Sequence, residues 1–163
     1  MINFDRLTVK SAEAIQSAAN EARRAGNPTV EDLHLTSALL EQEEGIVVPI
    51  LQKVGVNVTA LREAAEREAQ RYPRQSDAQP TLSRELNQVF DKAEAEAKTL
   101  GDQYVSTEHL LIALAADDGA VESQATGFPF ATGPRDFAGP LNSVLPGDGY
   151  RVMAELYMES ADR

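Results

Sequence analysis

The chain has no cysteine and no tryptophan among its 163 residues, and it has only two histidines. Without cysteine there is no disulfide framework, no thiolate metal site and no cysteine nucleophile. This composition suits the reducing cytoplasm, where we expect the protein to reside. We therefore expect a fold that depends on its apolar core, without covalent or metal staples.

Positive charge is also scarce. The chain carries 15 lysines and arginines against 26 acidic residues, which gives a formal net charge of -11. Such a surface repels phosphate backbones, so we expect no nucleic-acid partner. No run of 18 apolar residues occurs, and the first ten residues lack the apolar core of a signal peptide. We therefore expect neither a membrane span nor a secretory signal.

Catalytic motifs are missing as well. The sequence holds no G-x-x-x-x-G-K-[ST] phosphate loop, no serine elbow, no metal motif and no clear acid/base pair. We therefore predict that the chain is not an enzyme, does not hydrolyse ATP and uses no cofactor.

An internal repeat is the strongest positive signal. Residues 7–40 overlay residues 82–115 without a gap when shifted by 75 positions. The identical pairs include Leu7 and Leu82, Ala18 and Ala93, Glu21 and Glu96, Gly26 and Gly101, Val30 and Val105, His34 and His109, Leu35 and Leu110, Ala38 and Ala113, and Leu39 and Leu114. A repeat fixes the architecture before any local pattern does. The fold class predicted here is all-α, a pseudo-twofold repeat of a helical unit.

Each copy begins with a long amphipathic helix whose apolar residues recur at helical spacing. Gly26 and Gly101 end these helices, where a left-handed cap residue belongs. A short β-prone connector and a second, apolar helix follow in both copies. In the first copy two more helices are predicted, one over 46–54 and one from about Thr59 to Pro73, so one full unit has four helices.

The packing of these helices follows from their apolar positions. We expect Leu35 and Leu39 to pack near Leu110 and Leu114 across the pseudo-twofold axis. The third helix is expected to place four residues in the core, namely Ile46, Val47, Ile50 and Leu51.

The domain organisation has four parts. Residues 1–72 form the first repeat, 73–80 an exposed linker, 81–120 the first half of the second repeat, and 121–163 an atypical tail rich in glycine and proline. The tail has a possible terminal helix over 149–161. Three origins fit it: a natural lineage with a rewritten end, a fused segment, or a frameshift. Its GFPFATGP stretch is expected to pack against the second repeat, to occupy a binding groove in cis, or to stay disordered.

The segments FDRLTVKSAEAIQSAANEARR, EDLHLTSALLEQEEGIVVPILQKVGVNVTALREA and GDQYVSTEHLLIAL together resemble the N-terminal (Clp N) domain of the ClpB/Hsp104-type AAA+ disaggregases. The resemblance covers about residues 1–119 and leaves 121–163 unmatched. It implies a pseudo-twofold helical bundle, attached to ATP-dependent AAA+ motor domains that this chain does not contain. It also implies binding of unfolded or aggregated polypeptide.

The resemblance also implies a peptide-binding site formed by Thr8, Asp102 and Glu108. Carboxylates beside an apolar groove would anchor the amides or basic side chains of an extended peptide. A purely structural role is the alternative for each residue. Thr8 would cap the first helix, Asp102 would stabilise a turn, and Glu108 would favour a helix dipole.

His34 and His109 occupy equivalent repeat positions, and no cysteine or close carboxylate set completes a metal site around them. We predict no metal site, and we expect each imidazole to bind a backbone group near a helix start.

The function predicted from these observations is substrate recognition for a protein-disaggregating chaperone. A stand-alone adaptor or decoy that docks on a Clp-type ring is the alternative.

Overall fold

A computed structural model of the protein describes residues 2–53 and 55–115. The all-helical class is confirmed, because two strands of two residues each are the only strands in these two ranges. The elements in chain order are a 3-10 turn at Phe4–Arg6, α1 Val9–Ala25, β1 Thr29–Val30, α2 Asp32–Glu41, α3 Val47–Lys53, α4 Val58–Ala69, β2 Thr81–Leu82, α5 Arg84–Thr99 and α6 Thr107–Ala115.

The two long helices, α1 and α5, begin and end in the same way. Thr8 caps α1 by accepting from the Ser11 N–H, and Ser83 caps α5 by accepting from the Leu86 N–H. Each of their five buried positions recurs 75 residues later. The pairs are Ser11 and Leu86, Ala14 and Val89, Ile15 and Phe90, Ala18 and Ala93, and Ala22 and Ala97. Both helices therefore present the same face to the core.

Short backbone pairings join the two halves of the chain reciprocally. In the parallel pair β1 and β2, Val30 lies opposite Leu82. A second parallel bridge joins Leu7 to Val105. Leu82 follows Leu7 by 75 positions, and Val105 follows Val30 by the same number. The connector of each half therefore pairs with the residues that precede the long helix of the other half.

The helices α2 and α6 form the centre of the core. Helix α2 packs against α1, α3, α4 and α6, while α6 packs against α5 and α1. Their large apolar side chains are almost fully buried: Leu33, Leu35, Leu39, Leu40, Leu110, Leu111, Ile112 and Leu114. Such side chains contribute about 1.5 to 3 kcal/mol each on burial.

Helix α3 only partly follows the prediction. Val47 and Leu51 are fully buried as expected, whereas Ile46 is 40% exposed and Ile50 is only half-buried. The helix begins at Val47, so Ile46 lies outside it. Residues four apart share a helix face, so Val47 and Leu51 point into the core together. The prediction that Ile46 and Ile50 are core residues was wrong for this reason.

The predicted linker 73–80 contains no helix or strand, and most of it is exposed. Two hydrogen bonds hold its start against the end of α1. The Asn27 side-chain amide donates to the Pro73 carbonyl at 3.0 Å, and the Gln75 N–H donates to the Gly26 carbonyl at 2.7 Å. The predicted tail 121–163, with its possible helix 149–161, lies outside the described residues.

The contact between the linker 73–80 and the end of α1 can be tested by substituting alanine for Gly26 and, as a control, for Gly101. Both glycines have left-handed backbone, with φ of 74° and 79°. An alanine costs about 1–2 kcal/mol in that conformation. A Cβ on Gly26 would also lie 3.3 Å from the Gln75 carbonyl oxygen, whereas one on Gly101 meets no described atom within 4 Å. We expect Gly26→Ala to lower the urea unfolding midpoint more than Gly101→Ala. Equal midpoints would mean that the linker does not rest on Gly26.

Candidate functional site

Thr8 lies where the bridge between Leu7 and Val105 joins the start of α1 to the connector before α6. Its N–H donates to the Val105 carbonyl at 3.0 Å, and the Val105 N–H donates to the Arg6 carbonyl at 2.7 Å. The Thr8 hydroxyl oxygen accepts from the Ser11 N–H at 3.3 Å, so it also caps α1. The backbone of Val105 thus connects Thr8 to the segment that carries the other two predicted residues.

Asp102 and Glu108 are connected through Ser106 and His109. The His109 Nε2 lies 2.9 Å from the Asp102 Oδ2, and its Nδ1 lies 2.9 Å from the Ser106 backbone nitrogen. The Ser106 hydroxyl contacts a carboxylate oxygen of Glu108. His109 is 1% exposed. The structure therefore brings Asp102 and Glu108 into one hydrogen-bonded chain around a buried imidazole.

Glu108 is half-buried in the first turn of α6. Burial raises the pKa of Glu108, and the nearby Asp102 raises it further, while a backbone hydrogen bond and His109 act in the opposite direction. A raised carboxyl pKa means that the folded protein binds the proton more readily than the unfolded chain does. The ionised form of Glu108 is therefore disfavoured by folding at neutral pH.

The equivalent positions of the first half have the same backbone geometry but different side chains. The Glu31 N–H donates to the His34 Nδ1 at 2.9 Å, and the His34 Nε2 lies 2.9 Å from the Asn27 Oδ1. Asn27 thus stands in the place of Asp102, and the buried Leu33 in the place of Glu108. The expectation that each imidazole binds a backbone group near a helix start is confirmed.

Three large apolar side chains are exposed around the bridge between Leu7 and Val105. Phe4 is 60% exposed, Val9 74% and Tyr104 54%. The corresponding positions at the other end hold Gln79, Arg84 and Thr29. Sequence reasoning missed this apolar cluster of Phe4, Val9 and Tyr104. Comparing the two copies position by position for apolar residues that replace polar ones would have found it.

A separate groove of about 760 Å³ runs between α1, α2 and α4. Its walls are polar, with Arg23, Arg74 and Glu66 among them and His34 at the bottom. All of its residues lie between 17 and 74, so the groove contains none of the three predicted site residues. It differs from the apolar groove between the repeats that a peptide site was expected to use.

Within residues 2–53 and 55–115 no group of three or more histidine and acidic side chains is arranged to hold a metal ion. In the same ranges no helix combines the length and the apolar character needed to cross a bilayer.

Comparisons with known proteins agree on one domain family. The model of the Clp repeat (R) N-terminal domain matches residues 6–126. The chaperone protein ClpB of Mycobacterium leprae is 41% identical over 122 residues, which are 74% of this chain and 14% of that relative. The chain thus spans about a seventh of the length of this ClpB relative.

Solved structures show the same fold at lower identity. The Hsp104 N-terminal domain of Candida albicans is 18% identical with a TM-score of 0.71, and the match covers 94% of this chain and 92% of that one. A ClpV N-domain in complex with a VipB peptide is 21% identical with a TM-score of 0.58, over 68% of each chain. At these identities the likeness concerns the fold alone.

The buried His34 predicts a loss of stability in acid. Burial lowers the pKa of His34 from 6.5 to about 4, and Glu21 opposes this only in part. Between these pH values the unfolded chain binds a proton that the folded protein does not, so stability falls as the pH falls. The change between pH 7 and pH 5 is about 2 kcal/mol. We expect urea unfolding of His34→Gln to depend less on pH over this range. Parallel pH profiles of wild type and variant would contradict the assignment.

Proposed function

The chain belongs to the Clp repeat N-terminal domain family, and we propose that it is the substrate-recognition module of a cytoplasmic, protein-disaggregating chaperone. In this role it binds unfolded or aggregated polypeptide and passes it to the ATP-dependent motor domains of an AAA+ unfoldase. The domain binds and does not catalyse. Its peptide-binding residues are Thr8, Asp102 and Glu108.

One observation carries this proposal. The exposed apolar residues Phe4, Val9 and Tyr104 lie within three positions of the residues that form the backbone bridge between Thr8 and the segment of Asp102 and Glu108. Exposed large apolar side chains that are grouped on a surface mark interaction sites more often than singly scattered ones do. Unfolded polypeptides expose apolar side chains together with unpaired backbone amides, which such a mixed surface accommodates.

Glu108 occupies the position in the second half that Leu33 occupies in the first, and this difference supports the same conclusion. At the equivalent position the first half has the buried Leu33, and the carboxylates at the start of that helix are Glu31 and Asp32. In the second half a half-buried acid occupies this position although burial opposes its ionisation. A half-buried acid whose ionisation is opposed by burial is a candidate for binding.

The expected affinity is low. A client held at nanomolar affinity would require about 12 kcal/mol for each release, whereas micromolar to millimolar binding requires about 4 to 8 kcal/mol. A small, exposed apolar cluster suits weak and transient capture. The ClpV N-domain complex with a VipB peptide supports the view that a domain of this fold can bind a peptide segment.

Neutralising Glu108 tests the carboxylate. We expect Glu108→Gln to weaken the binding of reduced, carboxamidomethylated lysozyme, an unfolded basic polypeptide, by a few-fold to about tenfold. Binding is measured by fluorescence anisotropy with the full chain. The matched control is Glu63→Gln on the exposed face of α4, which changes the net charge equally. An equal loss of lysozyme binding in both variants would show that the net charge of the chain accounts for the effect. If wild type binds an intact Clp-type ring but no unfolded protein, the chain is an adaptor.

The two helix caps provide a second test. Thr8→Ala and Ser83→Ala each remove a hydroxyl that accepts from a backbone N–H, so each should lower the free energy of unfolding by about 1 kcal/mol. Only Thr8→Ala should also weaken lysozyme binding, by about two- to tenfold, because Ser83 lies at the opposite end. Thermal melting and anisotropy together separate the two effects. A similar loss of binding in Ser83→Ala would show that Thr8 serves only as a cap.

A further inference from the structure

We propose that Asp102 is a positioning residue, which acts on the client by holding the His109 imidazole while Glu108 provides the carboxylate that meets the client. This inference rests on the proposed function and assigns different roles to Asp102 and Glu108.

The protons of the imidazole follow from its neighbours. The Ser106 backbone N–H can only donate, and it lies 2.9 Å from the His109 Nδ1. Nδ1 is therefore unprotonated, and a neutral imidazole then carries its single proton on Nε2. That N–H donates to the Asp102 Oδ2 at 2.9 Å. Asp102 thus fixes the tautomer that allows His109 to accept from Ser106.

The position of Ser106 determines where Glu108 lies. Ser106 directly precedes α6, and its hydroxyl contacts the Glu108 carboxylate. Val105, one residue earlier, is fixed by its backbone bonds to Arg6 and Thr8. If His109 changed tautomer, its Nδ1–H would face the Ser106 backbone N–H, and the Ser106 hydroxyl oxygen, 2.9 Å from Nδ1, would become its acceptor. The start of α6 would shift, and Glu108 would move relative to Thr8.

The first half shows that this arrangement needs an acceptor and not a charge. The His34 Nε2 lies 2.9 Å from the amide oxygen of Asn27, and the Glu31 N–H again donates to Nδ1. The same backbone geometry is thus held by a neutral side chain. An asparagine at position 102 should therefore preserve the position of His109 while removing the negative charge.

The experiment compares Asp102→Asn, Asp102→Ala and Glu108→Gln in the full chain. Anisotropy with carboxamidomethylated lysozyme is measured at about 0.5 M salt, where the Debye length is about 4 Å and long-range attraction is screened. We expect Asp102→Ala to lose about tenfold in binding and Asp102→Asn to lose clearly less. Imidazole ¹⁵N spectra should show the Nε2–H tautomer of His109 in wild type and Asp102→Asn, and a mixture in Asp102→Ala.

Asn27→Ala is the matched control, because it removes the equivalent acceptor from His34. It should lower the melting temperature as Asp102→Ala does and leave lysozyme binding unchanged. An equal loss of binding in both alanine variants would overturn the inference, because it would show an effect of stability alone.

Asp102→Asn decides the question even if Asp102→Ala does not fold. If Asp102→Asn binds lysozyme as weakly as Glu108→Gln while His109 keeps its tautomer, Asp102 contacts the client through its charge. The inference then fails. A wild-type chain that binds no unfolded protein overturns the proposed function and this inference with it.

Discussion

Reciprocal backbone pairing between the two halves is the constraint on which the rest of the structure depends. The connector of the first half pairs with residues 81–83, and the connector of the second half pairs with residues 6–8. Each pairing holds the cap of a long helix next to the loop that starts an apolar helix. The central helices α2 and α6 can then be buried together, because His34 and His109 accept the backbone N–H groups that directly precede their first turns. The candidate site lies at one of these two junctions because the pairing brings residues about 100 positions apart into contact.

Most of this fold follows from the sequence through one observation, the offset of 75 positions. Gly26 and Gly101 mark the same helix end, and both have left-handed backbone as a glycine cap requires. The buried positions of α1 and α5 correspond one to one, since helical spacing alone decides which face is apolar. The start of α3 could not be predicted in this way, because Ile46 and Val47 are both apolar and only the first helical residue decides which of them faces the core.

The candidate site was less accessible to sequence reasoning. Thr8, Asp102 and Glu108 came from a family resemblance. In the structure Thr8 caps α1, Asp102 lies 2.9 Å from the His109 Nε2, and Glu108 is in the first turn of α6. The hydrogen bond from His109 to Asp102 depends on a tertiary distance that no spacing rule gives. The exposure of Phe4, Val9 and Tyr104 likewise depends on how the two halves meet. Local patterns assign apolar residues to the core by default, and these three are exceptions.

Duplication explains how a small domain can tolerate a costly site. At the first junction Leu33 is buried, Asn27 ties the linker to α1, and both ring nitrogens of His34 are hydrogen-bonded. The second junction has the same backbone but holds a half-buried Glu108 and exposes three apolar side chains. The free energy of unfolding of a native domain is only about 5 to 15 kcal/mol, so two such junctions would take up a large part of it. A fold with two equivalent ends can keep one end for stability and adapt the other for binding, because the backbone pairing that holds both ends does not depend on the side chains that differ.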